Sequence, residues 1–381
     1  MAASRGDGDE TMVELSQDVG EGAGRRRPGV ELVSIQYLRG LACLFVVGWH
    51  AMGEVGTATW RFCNGGIEIF FLISGFVIWT ITAAKPTTPG AFLARRFARV
   101  IPFYWAVTTV ALAILLIAPH LVQTMRFSLP HVIASYLFFP WPSPAPGVDA
   151  RPLVIPGWTL NYEMFFYVLA ALALCLPKRW RGTGLVAALI VLPLAGPWIG
   201  GTSVAAAFYT SPLLVEMGLG VLLAILTARR DAPPRAALVL LAAGAVLLVF
   251  GGELWDGTNT QRLVTLLIPA AILLVGAVGL DRAGHMPTWR APKAIGDASY
   301  AIYMIHPLML SAMVQLWRRF GGAALPGWSF VVLSLVTCSL IGLAVHLTVE
   351  KPMTEALQRR LKLSRPRGRP DVAPANLKAL G

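Results

Sequence analysis

The segment Ser34-Ile35-Gln36-Tyr37-Leu38-Arg39-Gly40-Leu41-Ala42-Cys43-Leu44-Phe45-Val46-Val47-Gly48-Trp49-His50 decides the fold. It is apolar enough for a helix in lipid, yet it carries a guanidinium and an imidazole. Eleven residues make about three helical turns, so Arg39 and His50 share one face, roughly 16 Å apart along the axis. Gln36 and Cys43 fall close to the same stripe. Ionisable groups at membrane depth are costly and usually face a bundle interior or a cavity. That stripe is the first place to look for chemistry.

The rest of the chain supports a membrane reading. Of 381 residues, 56% are apolar and 14% charged, and the mean hydropathy is +0.63. A soluble domain of this size cannot hide so much apolar surface, so the class is a polytopic membrane protein. The net charge of +12 is spread in short clusters between apolar runs, which suits membrane orientation rather than nucleic acid. Cys43, Cys175 and Cys338 lie in hydrophobic segments and Cys63 in a connecting loop, so neither a zinc site nor a redox pair is expected. Residues 1–29 are polar and contain Arg25-Arg26-Arg27. They read as a disordered cytosolic tail before an uncleaved first helix.

Apolar runs of spanning length lie near 35–53, 66–84, 100–119, 157–176, 183–200, 208–227, 236–252, 263–280, 295–316 and 328–349. They predict an all-α fold of about ten transmembrane helices. With both termini cytoplasmic, 25 of the 32 Lys and Arg residues fall on the inner side, six outside, and Arg39 in the membrane; this bias fixes the expected orientation. The expected organisation is an N-terminal tail (1–29), a transmembrane domain (30–353) and a basic cytosolic C-terminal tail (354–381). The run at 131–139 is too short to span. The outer connection 120–156 holds seven prolines and reads either as a lid over a site or as a spacer.

Orientation assigns depth. Arg39 is expected in the inner third and His50 near the outer boundary. Glu68, in Gly65-Gly66-Ile67-Glu68, and Glu163, in Gly157-Trp158-Thr159-Leu160-Asn161-Tyr162-Glu163, are expected near the outer face as well. An imidazole oriented by a carboxylate suits general-base work on a hydroxyl. Each residue also has a structural reading. His50 can be a solvated interfacial histidine, Glu68 a helix-start carboxylate, Arg39 a snorkelling arginine and Trp158 an aromatic-belt anchor. Arg95, Arg96 and Arg99 can be inside anchors or can bind an anionic, nucleotide-like cofactor. Tyr303 and His306 lie one turn apart in the ninth run. Glu350 reads as structural, pairing with a basic loop, and Pro352 as the stop of the last helix. Glu216 is a buried carboxylate to which no role is assigned.

In this order, these fragments resemble the acyltransferase-3 family of integral membrane acyltransferases. The carriers are Leu38-Arg39-Gly40 with His50, Gly66 to Phe76, Arg95-Arg96 to Tyr104, Trp158 to Tyr167, Ser299 to His306, and Glu350-Lys351-Pro352. The stretch Gly157 to Tyr167 looks most like the branch associated with exopolysaccharide production. Glu68 stands where the family usually has aspartate. The resemblance implies a cytosolic acyl-CoA donor, with acetyl-CoA expected, no metal, and transfer to a glycan hydroxyl at or beyond the inner (plasma) membrane.

The resulting expectation is an O-acyltransferase of a surface or exported polysaccharide, or of its lipid-linked precursor. His50, Glu163 and Glu68 are its candidate catalytic residues. Arg39, Arg95, Arg96 and Arg99 are candidates for holding the coenzyme, and Trp158, Asn161, Tyr303 and His306 for holding the acceptor. Expected partners are acyl-CoA, the polysaccharide or lipid-linked glycan, membrane lipids and polysaccharide-synthesis machinery, with no nucleic acid. The alternatives are a transporter or flippase for a lipid-linked glycan, disfavoured by the lack of internal repeats, and a scaffold.

Overall fold

The computed structural model describes residues 32–57, 60–84, 86–122, 125–144, 150–228 and 232–363. The expected N-terminal tail (1–29), and the C-terminal tail beyond residue 363, lie outside them. The described residues are helical, with no strand among them. In chain order the helices are α1 (Val33–Val55), α2 (Gly65–Ala84), α3 (Pro89–Ile117), the short α4 (Leu129–Tyr136), α5 (Gly157–Leu174), α6 (Arg181–Ile199), α7 (Val204–Tyr209) and α8 (Leu214–Thr227). There follow α9 (Pro234–Leu254), α10 (Asn259–Arg262), α11 (Ile268–Arg282), α12 (Arg290–Asp297), α13 (Ser299–Arg319), α14 (Gly327–Val345) and α15 (Lys351–Arg360). Long helices occupy all ten apolar runs. We call the bundle face at which α1 starts proximal and the opposite face distal.

Seven stretches are long and apolar enough to cross a membrane: α2, α3, α6, α7–α8, α9, α11 with its preceding turn, and α14 onward. The long helices outside that set are α1, α5 and α13. These carry Arg39 and His50, Asn161 and Glu163, and Tyr303 and His306. Their polar residues are tolerable because the three helices sit at the centre of the bundle, against α3 and α2. Helices α1 and α13 run parallel. The Cys43 thiol donates to the carbonyl of Ser299 at 3.4 Å, and seven residues further along both helices the rings of His50 and His306 lie 5.2 Å apart.

Helix α5 starts deeper than its sequence suggests. Gly157 packs against the ring of Tyr104, which lies midway along α3. Phe92 meets Tyr167 edge to face at 6.2 Å, so the pair is antiparallel. The end of the preceding connection is folded into the bundle: Leu153 and Val154 are buried. The backbone N–H of Leu153 donates to the Ser135 hydroxyl at 2.9 Å, and the Tyr104 hydroxyl donates to the Ser135 carbonyl. The described part of this connection is therefore neither a free lid nor a loose spacer.

Two π turns, Leu263–Leu267 and His346–Glu350, each end two residues before a proline, Pro269 and Pro352. Each proline lacks the N–H that an α-helix would send back four residues, to Thr265 or Thr348. A wider turn absorbs that loss. Pro352 consequently does not stop the last helix, as expected from sequence. It stands in the first turn of α15, where a missing N–H is harmless, and α15 packs along α3. Glu350 pairs within its own turn, with His346 at 2.7 Å, rather than with a basic loop.

The half of the bundle built from α2, α8, α9 and α11 is held by close backbone approach and by one charge cluster. A Cβ on Gly75 would meet the carbonyl of Met217, and one on Gly220 the carbonyl of Leu72, so α2 and α8 cross almost in backbone contact. Nearby, Arg262 forms an ion pair with Glu68, and both are buried. Arg262 also donates to the Asn64 carbonyl at 3.4 Å, and its guanidinium covers the Trp255 ring. Glu216 is fully buried within the field of the same pair.

Two outcomes follow for thermal unfolding in detergent. Gly75→Val should destabilise the protein by about 1–3 kcal/mol through overpacking, whereas Gly90→Ala, with open space around it, should not. Arg262→Ala should cost about 3–5 kcal/mol because it leaves carboxylates buried without their cation. Adding Glu68→Gln to Arg262→Ala should recover part of that loss; full additivity of the two costs would show that the ion pair does not hold the helices.

Candidate functional site

The helical register lays the site out. On α5, Thr159, Glu163 and Tyr167 recur at four-residue spacing and so share one face. That face meets Ser299, Tyr300 and Tyr303 of α13, Gln36 and Arg39 of α1, and Arg96 and Arg99 of α3. Together with Phe70, Phe71 and Ser74 of α2 they line a cavity of about 490 Å³. Leu32, Ile81 and Ala84 also line it, which places its opening at the proximal ends of α1 and α2.

Three guanidiniums and one carboxylate give the cavity its charge. Arg39 donates to the Gln36 amide oxygen at 3.2 Å and lies in the field of Arg99, Glu350, Glu163 and Asp297. Arg96 is held over the rings of Phe92 and Tyr167, 5.9 and 6.0 Å from their centroids. The Tyr167 hydroxyl donates to the Glu163 carboxylate, and the Tyr300 hydroxyl to the Val100 carbonyl at 2.9 Å. Three guanidiniums from two helices, α1 and α3, around one concave space form a strong anion site, because each presents a planar fork that matches phosphate oxygens. Arg95 is not part of it. Its side chain is exposed and donates to the Thr87 hydroxyl.

The distal end of the cavity is closed. The hydroxyls of Tyr303 and Thr159 are 3.0 Å apart and hydrogen-bonded, and Phe70 packs edge to face on Tyr303. Beyond Tyr303, 5.8 Å from its ring, sits His306, and beyond that His50, exposed towards the distal side. The charge of Arg151, from the connection before α5, acts on His50.

The expected layer of one imidazole and two carboxylates is therefore not formed. Glu163 lies with Arg39 in the cavity, because α5 starts at mid-depth and two turns carry it towards the proximal face. Glu68 is held by Arg262, and its carboxylate neither lines the cavity nor meets His50. The partner of His50 is another imidazole. Trp158 is half-buried and packs edge to face on Phe71 and Tyr162, inside an aromatic cluster rather than in a belt. Asn161 is buried, and neither end of its amide has a hydrogen-bond partner among the described residues.

Sequence reasoning missed Thr159, Tyr167 and Arg262. The first two were readable from the four-residue spacing around Glu163. Arg262 gave no such signal, since it sits at the very start of its helix and reads as a loop residue.

Comparisons with known proteins place the chain in a family. The acyltransferase domain model of the acyltransferase-3 family matches residues 32–346. The chain is 32% identical over 294 residues to "Exopolysaccharide production protein ExoZ" of Rhizobium meliloti (strain 1021), covering 76% of this chain and 88% of that protein. It is 28% identical to "Protein 2 in picA locus" of Rhizobium radiobacter, over 36% of this chain and 79% of that one. To "Nodulation protein 10" of Rhizobium leguminosarum bv. viciae it is 25% identical, over 40% and 44% respectively. No solved structure matches the chain. With the family model covering every helix that lines the cavity, the chain belongs to the acyltransferase-3 family and is a multi-pass membrane acyltransferase.

Proposed function

We propose that the protein is an inner-membrane O-acyltransferase that moves an acyl group, acetyl as first candidate, from cytosolic acyl-CoA to a glycan hydroxyl. The glycan is a surface or exported polysaccharide, or its lipid-linked precursor. One observation carries the reading: a cavity with Arg39, Arg96 and Arg99 opens on the proximal face, and the Tyr303–Thr159 hydrogen bond and His306 stand between it and His50 on the other side. The concentration of basic residues on the proximal side supports a cytoplasmic assignment for that face. The name of the Rhizobium meliloti relative, an exopolysaccharide production protein, supports the acceptor class.

In this reading the phosphates of the coenzyme sit on the three guanidiniums. Glu163, hydrogen-bonded by Tyr167, balances their charge and keeps Arg39 oriented. The pantetheine arm extends along the apolar wall of Phe70 and Phe71. The thioester reaches the Tyr303–Thr159 hydrogen bond, which opens to pass the acyl carbonyl towards His50. His50 removes the proton of the acceptor hydroxyl as it attacks. General-base assistance of this kind contributes about 10²–10⁴-fold. Trp158, at the distal start of α5, shapes the space the acceptor enters, whereas Asn161 falls on the face of α5 opposite Thr159.

His50→Ala should abolish acylation of the glycan at unchanged protein level, read as ester content by proton NMR of the polysaccharide; unaltered ester content would refute the proposal. Arg39→Ala should raise KM for acyl-CoA about 10–100-fold, the loss expected for one charged hydrogen bond of about 1.5–3 kcal/mol. Purified protein that neither releases thiol from acyl-CoA nor binds it would favour the flippase reading instead.

A further inference from the structure

His306 is fully buried, and its Nδ1 lies 2.6 Å from the carbonyl oxygen of Tyr303. In an uninterrupted helix that carbonyl would accept the N–H of residue 307. Residue 307 is Pro307, inside α13, and has no N–H to give. The vacated carbonyl is what the imidazole uses. A carbonyl oxygen only accepts, so Nδ1 carries the proton and Nε2 a lone pair. That Nε2 is buried and has no hydrogen-bond partner among the described residues. A buried acceptor left unpaired in this way is costly. The ring beside it is His50, tilted by 37° at 5.2 Å. The groups facing the two rings are Arg151 from the connection before α5, and Tyr303. Glu163 and Glu68, the carboxylates that sequence placed in this role, are committed elsewhere.

We propose that His306 is the positioning residue for His50 in the acyl transfer proposed above, on which this inference rests. Its Nε2 accepts an N–H from His50. That fixes the tautomer in which the other nitrogen of His50 faces the distal side with a lone pair. The arrangement parallels a carboxylate orienting a catalytic histidine, with a neutral imidazole in the carboxylate's place. In the step, the acceptor O–H breaks and its proton goes to the open nitrogen of His50. The acceptor oxygen bonds to the acyl carbonyl carbon, the C–S bond breaks, and the thiolate leaves with the electron pair. His50 is then an imidazolium whose second N–H is shared with His306. It returns its proton to water on the distal side, and the thiolate takes one from water on the other.

The test uses the full-length protein in proteoliposomes, labelled acetyl-CoA, and polysaccharide from a strain lacking the gene. An asparagine at position 306 can still donate to the Tyr303 carbonyl but offers no acceptor where Nε2 stood. A glutamine can place its amide oxygen there. His306→Asn should lower kcat at least 100-fold with KM for acetyl-CoA within twofold, and His306→Gln should restore kcat to within tenfold of wild type. Pro307→Ala, a milder change, gives the Tyr303 carbonyl a competing N–H and should lower kcat several-fold at unchanged KM. Wild-type kcat in His306→Asn, or equal loss in the Asn and Gln variants with raised KM, overturns the inference and leaves the acyltransferase reading standing. A wild-type protein that transfers nothing overturns both.

Discussion

The structure depends on the cost of holding ionisable side chains in lipid. A guanidinium or carboxylate facing hydrocarbon is expensive by several kcal/mol, so each needs a polar destination inside the bundle. Arg39, Arg96, Arg99 and Glu163 find it in one cavity, and Glu68 and Arg262 find it in each other. The first arrangement leaves space for an anionic ligand. The second joins α2 to α10 through the Glu68–Arg262 ion pair, with Glu216 of α8 buried close by. The same physical requirement thus separates a half of the bundle suited to chemistry from a half that acts as its frame.

That division explains which helices depart from the apolar norm. Helices α1, α5 and α13 are the less apolar ones, and their polar faces meet α2 and α3 around the cavity. Surrounding them with strongly apolar helices lets a weakly apolar one sit at membrane depth without facing lipid. The Tyr303–Thr159 hydrogen bond then lies across the distal end of the cavity.

Much of this was legible in the sequence. The ten apolar runs and the shared face of Arg39 and His50 depend only on local periodicity and hydropathy. The depth of Glu163 was not legible, because it is set by Leu153 and Val154 packing beneath the distal surface, a long-range effect that no window along the chain reports. The partner of Glu68 was hidden for a similar reason: Arg262 lies 194 positions away, at the first turn of another helix. Pro307 and Pro352 show the two ways a proline acts inside a helix. One frees a carbonyl for a side chain. The other coincides with a wider turn and lets the helix run on.

That wider turn has a consequence for the C-terminal segment. A π turn holds one residue more than an α turn, which rotates everything after it by about 100°. Helix α15 rests on α3 with the face that this rotation selects. A descendant that lost a single residue between His346 and Glu350 would keep its hydrophobic span yet turn a different side of α15 towards the bundle. Length changes here are therefore not neutral for the contact between α15 and α3.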